Sequence, residues 1–232
     1  MSAFPNCPLP DEWPHRQTES ARVMLQKAHA AATEFLSVFQ KSREGKRRGR
    51  STDAEQDLLR AMLVFATAGL DAMFKELVRQ ALPALIDRGI GGKAFESFIT
   101  RRAEGAGPVD HKFLAEVLAS SSPRAYLIRA WVAELTGGSL QSVDAVLKTA
   151  SAFDIQFPQI FKDTSERNAL KEVFEARNQI IHEMDLEFTE RSARRLRKIE
   201  DMRRFTEQVF QTGARILAAV ETRLASTART PA

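Results

Sequence analysis

Residues 53–81 run without a proline, and their apolar positions return every three or four residues: Leu58, Leu59, Met62, Leu63, Ala66, Leu70, Met73, Phe74, Leu77, Val78 and Ala81. That period gathers them into one wide stripe of an α-helix, which must be buried against other helices. Ser51 or Asp53 suits the N-cap, and Pro83 kinks or ends the helix. A second run, residues 16–42, carries Val23, Met24, Ala28, Ala31, Phe35 and Val38 at the same spacing with no glycine or proline between them. No segment sustains the period-two alternation of a half-buried strand, and no internal repeat is present. The expected class is all-α, a bundle of long antiparallel helices.

Punctuation divides the rest. Four of the nine prolines fall in the first fourteen residues, where missing donors and a fixed φ disfavour helix, so residues 1–15 are expected as an irregular arm. REGKRRGR at 43–50 has the composition of a solvated loop. Gly89, Gly91 and Gly92 precede an amphipathic stretch at 93–102, and Gly105, Gly107 and Pro108 mark a further loop. Residues 109–119, 123–135 and 140–150 then predict three shorter helices. Together with an apolar connector at 153–161, read as extended around Pro158, they form an inserted lobe over about 90–160. Two long helices, about 165–184 and 189–225, complete one domain spanning 16–226, and 227–232 is expected to be a disordered tail.

With 44% apolar and 28% charged residues in a chain of 232, the composition is that of a globular protein able to build a core without staples. The longest charge-free stretches, such as residues 61–70, fall far short of the roughly 20 residues of a membrane-spanning helix. The N-terminus lacks a basic region followed by an apolar one, and the lone Cys7 has no internal partner, so a cytoplasmic, reducing location is expected. The net charge is only +4, but the excess is clustered, which favours contact with a polyanion over adsorption to a membrane. Arg191, Arg194, Arg195, Arg197, Lys198, Arg203 and Arg204 crowd into fourteen positions. On a helix starting near 189, Arg191, Arg194, Arg195 and Lys198 would share one face, a ridge suited to an RNA backbone. Lys46, Arg47 and Arg48 would add a second clamp. The competing reading is of solvated charges balanced by Glu190, Glu200 and Asp201. No row of aromatics accompanies the cations, so sequence-specific readout of single strands is not indicated.

The chemically informative stretch is LKEVFEARNQIIHEMDL, residues 170–186. At 100° per residue, Leu170, Val173, Phe174, Ile180, Ile181 and Met184 fall on one face with Arg177 in its middle. A guanidinium cannot shed its charge, so it must meet a carboxylate, an anion or water in a cleft. Asn178 and His182 stand one above the other on one edge of that face, and Asp185 falls near the same edge. A structural alternative pairs Arg177 with an acid on a facing helix, Glu76 being one candidate, and leaves His182 without a task. A metal site is disfavoured, because His182 has no second histidine or cysteine at ligand spacing.

Arg177-Asn178-Gln179-Ile180-Ile181-His182 resembles the R-x4-H signature of the HEPN superfamily of all-α ribonucleases and nucleotide-handling proteins, in the form with a polar residue directly after the arginine. The helix AMLVFATAGLDAMFKELV resembles the apolar helix that packs against that motif, and the two regions cover about half of the chain. In size the chain resembles the larger toxin or phage-defence members, such as the RiboL-PSP group. Compact members tend to have tyrosine two residues after the histidine, where this chain has Met184. The resemblance implies metal-independent RNA cleavage, with no cofactor, in a groove where two protomers bring their motifs together. In that arrangement His182 would move the proton, Arg177 would stabilise the phosphorane, Asn178 would orient one of them and Asp185 would hold the imidazole. Ile180, Ile181 and Met184 would form the apolar dimer contact. The resemblance also implies an antitoxin or other regulatory protein as a partner. A non-catalytic module that binds RNA, a nucleotide or a protein is the alternative within the same superfamily.

Overall fold

Thr52 closes a capping box at the start of the second helix: its hydroxyl accepts from the Glu55 amide, and the Glu55 carboxylate accepts from the Thr52 amide. Two of the amides that a helix N-terminus leaves orphaned are thereby satisfied, so the helix begins at Asp53. In the computed structural model, which describes residues 4, 8–9, 14–45, 49–104, 111–187 and 193–226, this helix is α2 (Asp53–Gln80), preceded by α1 (Arg16–Arg43). The two run antiparallel. Gly69 faces Ala28 so closely that a Cβ at 69 would lie 2.1 Å from the Ala28 Cβ, which explains a glycine inside a stripe of larger residues.

Proline 83 acts as expected: α2 stops at Gln80 and a short α3 (Leu82–Ile86) begins with Pro83 in its first turn. Then follow α4 (Gly92–Glu104), α5 (His111–Ala119), α6 (Pro123–Thr136) and α7 (Val143–Ser151). The connector at 153–161 is not wholly extended, since Phe157–Ile160 forms a single turn, α8, with Pro158 where its missing amide costs nothing. The chain closes with α9 (Thr164–His182) and α10 (Ile199–Ser226). Among the described residues there is no strand, only one isolated bridge between Leu186 and Arg194. The fold is all-α.

Buried side chains form one continuous core from α1 to α10, with Leu25, Leu36, Leu63, Leu70, Phe74 and Leu77 fully enclosed between the long helices. The lobe joins the same core through Phe95, Phe98 and Trp131, whose rings pack together at centroid distances of 5.3–6.3 Å. Helix α9 packs on α2 and α10, which presents residues 177–182 beside the middle of α2. No helix among the described residues is long and apolar enough to cross a membrane.

Two boundaries differ from expectation. Helix α9 ends at His182, and α10 begins at Ile199 instead of near 189. Met184 and Asp185 adopt left-handed φ of 52° and 58°, a region that costs a residue with a side chain about 1 kcal/mol or more and rules out another helical turn. The arm at 1–15 lies mostly outside the described residues, and the tail at 227–232 lies outside them entirely.

Candidate active site

Arg177 is half-buried on the face of α9 turned towards α2. Its Nη1 donates to the Asn178 side-chain oxygen at 2.9 Å, and its Nε is buried without a hydrogen-bond partner. Burial lowers its pKa below the ordinary arginine value, and the field of the Asp71 carboxylate opposes that shift. Asp71 does not pair with it. One oxygen of Asp71 accepts from the Leu140 amide at 2.7 Å and the other faces Lys75 Nζ at 2.8 Å. Glu76, the acid considered from the sequence, bonds Arg79 instead. Among the described residues Arg177 therefore makes no ion pair.

Asn178 and His182 are both exposed on the same edge of α9. His182 is the last helical residue, and its imidazole has no hydrogen bond among the described residues. Its backbone position is five residues on from Arg177, about 7.5 Å along the axis and roughly 140° around it, while the bond to Asn178 turns the Arg177 guanidinium towards the edge that carries His182. Of the apolar neighbours, Ile180 leans on the core, whereas Ile181 and Met184 are 38% and 63% exposed.

Asp185 is placed differently from its expected position beside His182. The left-handed turn carries it into the core, where it is fully buried and both oxygens are taken. Arg60 Nε donates to its Oδ2 at 2.7 Å, and Arg197 donates through Nη2 to Oδ1 at 2.5 Å and through Nε to both oxygens. A buried carboxylate between two guanidinium groups has no lone pair left for an imidazole.

The expected basic ridge is also redistributed. Arg194, Arg195 and Lys198 precede α10 on a strap that crosses the first half of α2, so they share no helical face. Arg194 grips Asp57 with two hydrogen bonds of 3.2 and 2.6 Å. That contact, with help from Arg60, holds the Asp57 carboxyl below its usual range and raises the Arg194 pKa. Arg195 comes within 3.9 Å of Glu183, and Lys198 is exposed. Arg191, Lys46, Arg47 and Arg48 lie outside the described residues.

Sequence reasoning missed Arg60 and the role of Gln179. Arg60 shares a face of α2 with Thr67, Phe74 and Val78, all fully buried, and this was the available signal: a cation inside a buried stripe needs an acid. Its Nη2 also donates to the Arg195 carbonyl at 2.8 Å, and Gln56 exchanges two hydrogen bonds with the Arg197 backbone. The strap is thus sewn to α2. No cluster of three or more histidine, cysteine or acidic residues that could hold a metal occurs among the described residues. Compared with known proteins, the chain matches no family model, no curated protein and no solved structure.

Proposed function

We propose that this chain is a metal-independent endoribonuclease of the HEPN type, acting as a homodimer whose composite groove receives Arg177, Asn178 and His182 from both protomers. One observation carries the reading: a half-buried guanidinium in the R-x4-H segment has no acid paired with it among the described residues. A permanent charge kept partly out of water without a counter-ion is stabilised by an incoming anion, and a phosphodiester is the anion whose cleavage the nearby imidazole can serve. The ribose 2′-hydroxyl attacks the adjacent phosphorus. His182 takes or returns the proton, Arg177 bears the charge gathering on the phosphoryl oxygens, and Asn178 holds the guanidinium in place. The products are a 2′,3′-cyclic phosphate and a 5′-hydroxyl, and no metal takes part.

Two further facts support the dimer. Arg177 has no acid paired with it and His182 no hydrogen bond among the described residues, so a second copy is a ready source of a partner for each. Ile181 and Met184 leave apolar surface beside the motif, which an isologous contact would cover. Arg195 and Lys198 flank the groove as phosphate contacts, with Ile180 fixed beneath. In biological role the reading is of a toxin or anti-phage effector restrained by an antitoxin or other regulatory protein.

The test is incubation of the purified protein with total RNA in EDTA, followed by mapping of the ends. Cyclic phosphate and 5′-hydroxyl ends are expected. RNA that is bound but left intact would identify a binding module, and cleavage that requires a divalent ion would overturn the mechanism. A mixture of Arg177→Ala and His182→Ala chains should recover part of the activity that each lacks alone, and a monomer by light scattering at micromolar concentration would remove the composite groove.

A further inference from the structure

The stop after His182 is built from an ionic cluster where a glycine would have sufficed. Left-handed residues at a helix end are commonly glycine, which adopts that conformation without strain. Here the positions are Met184 and Asp185. The turn is held by the Gln179 carbonyl, which accepts from the Glu183 amide at 3.2 Å and the Asp185 amide at 2.8 Å. It is held equally by the fully buried Asp185 carboxylate between Arg60 of α2 and Arg197 of the strap. Arg197 Nη2 also reaches the Gln179 side-chain oxygen at 2.8 Å. Gln179 lies inside the Arg177–His182 segment, so one arginine ties that segment to the residue that ends it.

We infer that Asp185 is a positioning residue of the candidate active site: clamped by Arg60 and Arg197, it ends α9 directly after His182 and so holds the imidazole at an open helix end that no following turn covers. The inference rests on the ribonuclease reading for its consequence in catalysis, but the clamp itself is a property of the fold. Asp185 is fully buried and its carboxylate bonds Arg60 and Arg197, not His182. It acts by denying the helix another turn, which would carry the imidazole into a continuous helix and pull the strap off α2. A buried ion cluster suits this task because it is satisfied in one geometry only, whereas a glycine stop would leave the turn loose.

The experiment compares Asp185→Asn and the gentler Arg60→Lys with Glu166→Gln, which weakens an ion pair with Arg215 at the opposite end of the same helix. Melting temperature, RNA affinity and cleavage are measured on each full-length protein. Misplacing a catalytic group by about 1 Å costs on the order of 100-fold, so Asp185→Asn and Arg60→Lys are expected to lose kcat on that scale with KM within about threefold. Glu166→Gln should melt earlier and cleave at nearly the native rate. Folded Asp185→Asn or Arg60→Lys protein with native kcat would overturn the inference, as would a loss in Glu166→Gln as large as theirs. If Asp185→Asn does not fold, Arg60→Lys decides. A native chain that cleaves no RNA defeats the ribonuclease reading alone, and amide exchange then decides the positioning role. The Glu183 and Asp185 amides should exchange at least about tenfold faster in the clamp variants, and unchanged exchange would overturn it.

Discussion

The two ends of α9 are built to opposite specifications. At the N-terminal end the acids are engaged: the Asp163 carboxylate caps the helix by accepting from the Glu166 amide at 2.9 Å, and Glu166 takes two hydrogen bonds from Arg215. Arg215 also donates to the Ile160 carbonyl at 3.0 Å, which joins α8, α9 and α10. Five residues before the other end, and among the described residues, Arg177 is half-buried with no acid and His182, the last residue of the helix, stands exposed with no hydrogen bond. Only after the helix has ended does full pairing return, at Asp185. Among the described residues Glu166 and Asp185 are matched by arginines of other elements, whereas Arg177 and His182 meet no opposite charge.

The sharpest way to break this contrast is to remove the unmatched groups. A general acid or base contributes about 10²–10⁴-fold, so His182→Ala should abolish most RNA cleavage. Arg177→Ala should lose about 10²–10³-fold, the scale of a lost oxyanion donor. His182→Ala should not shift the melting temperature by more than about 2 °C, since exposed positions without partners change stability by roughly ±0.5 kcal/mol, and Arg177→Ala, which gives up one hydrogen bond worth about 1 kcal/mol, should shift it by no more than about 4 °C. A large drop in melting temperature for Arg177→Ala would show that the guanidinium holds the fold after all, and the two ends would cease to differ.

At the paired end the expectation reverses. Arg215→Met removes a partly exposed ion pair and the bond to Ile160, and should lower stability by about 1–3 kcal/mol, less than breaking a fully buried pair would. For a domain of this length that corresponds to about 3–8 °C in melting temperature, with cleavage nearly unchanged below the transition. The pH dependence gives a finer check. The Arg215 hydrogen bond, with help from the Lys162 amide, holds the Glu166 carboxyl below its ordinary value of 4.5. A depressed folded-state value means that the stabilisation is complete above about pH 4.5 and is lost as the pH falls through the lowered value. The gap in melting temperature between native protein and Arg215→Met should therefore be constant near neutrality and close in acid. A gap that widened in acid would mean that the pair is not the source of the stability.

The same division governs what could be read from the chain itself. Helix identity follows from short-range period and caps, so α1, α2, α6 and α7 lie close to where spacing puts them. The partly buried position of Arg177 is legible as well, because an arginine amid Leu170, Val173 and Phe174 contradicts its surroundings. What escaped was tertiary. Asp185 lies three residues beyond His182, and helical projection alone keeps it on the motif's edge. Its partner Arg60 is 125 residues earlier, and only their pairing shows that α9 stops and that residues 193–198 run as a strap. The expectation of a helix from 189 failed for that reason: charges that look like a solvated helical face are sewn to Asp57 and α2.

The smallest effect belongs to Asn178, whose oxygen accepts the one hydrogen bond that Arg177 makes among the described residues. It fixes a guanidinium by its rim and leaves the charge unneutralised, as an amide can and a carboxylate cannot. A single neutral hydrogen bond is worth about 1 kcal/mol, so Asn178→Ala should slow cleavage by about fivefold with melting unchanged. Asn178→Asp keeps the acceptor but adds the charge that this end of α9 lacks. It should weaken RNA binding more than Asn178→Ala does, because the phosphate must then displace a carboxylate already paired with Arg177. Binding strengthened by Asn178→Asp would mean that phosphate never meets the guanidinium. Equal and native behaviour of both variants would confine the unmatched end of the helix to Arg177 and His182.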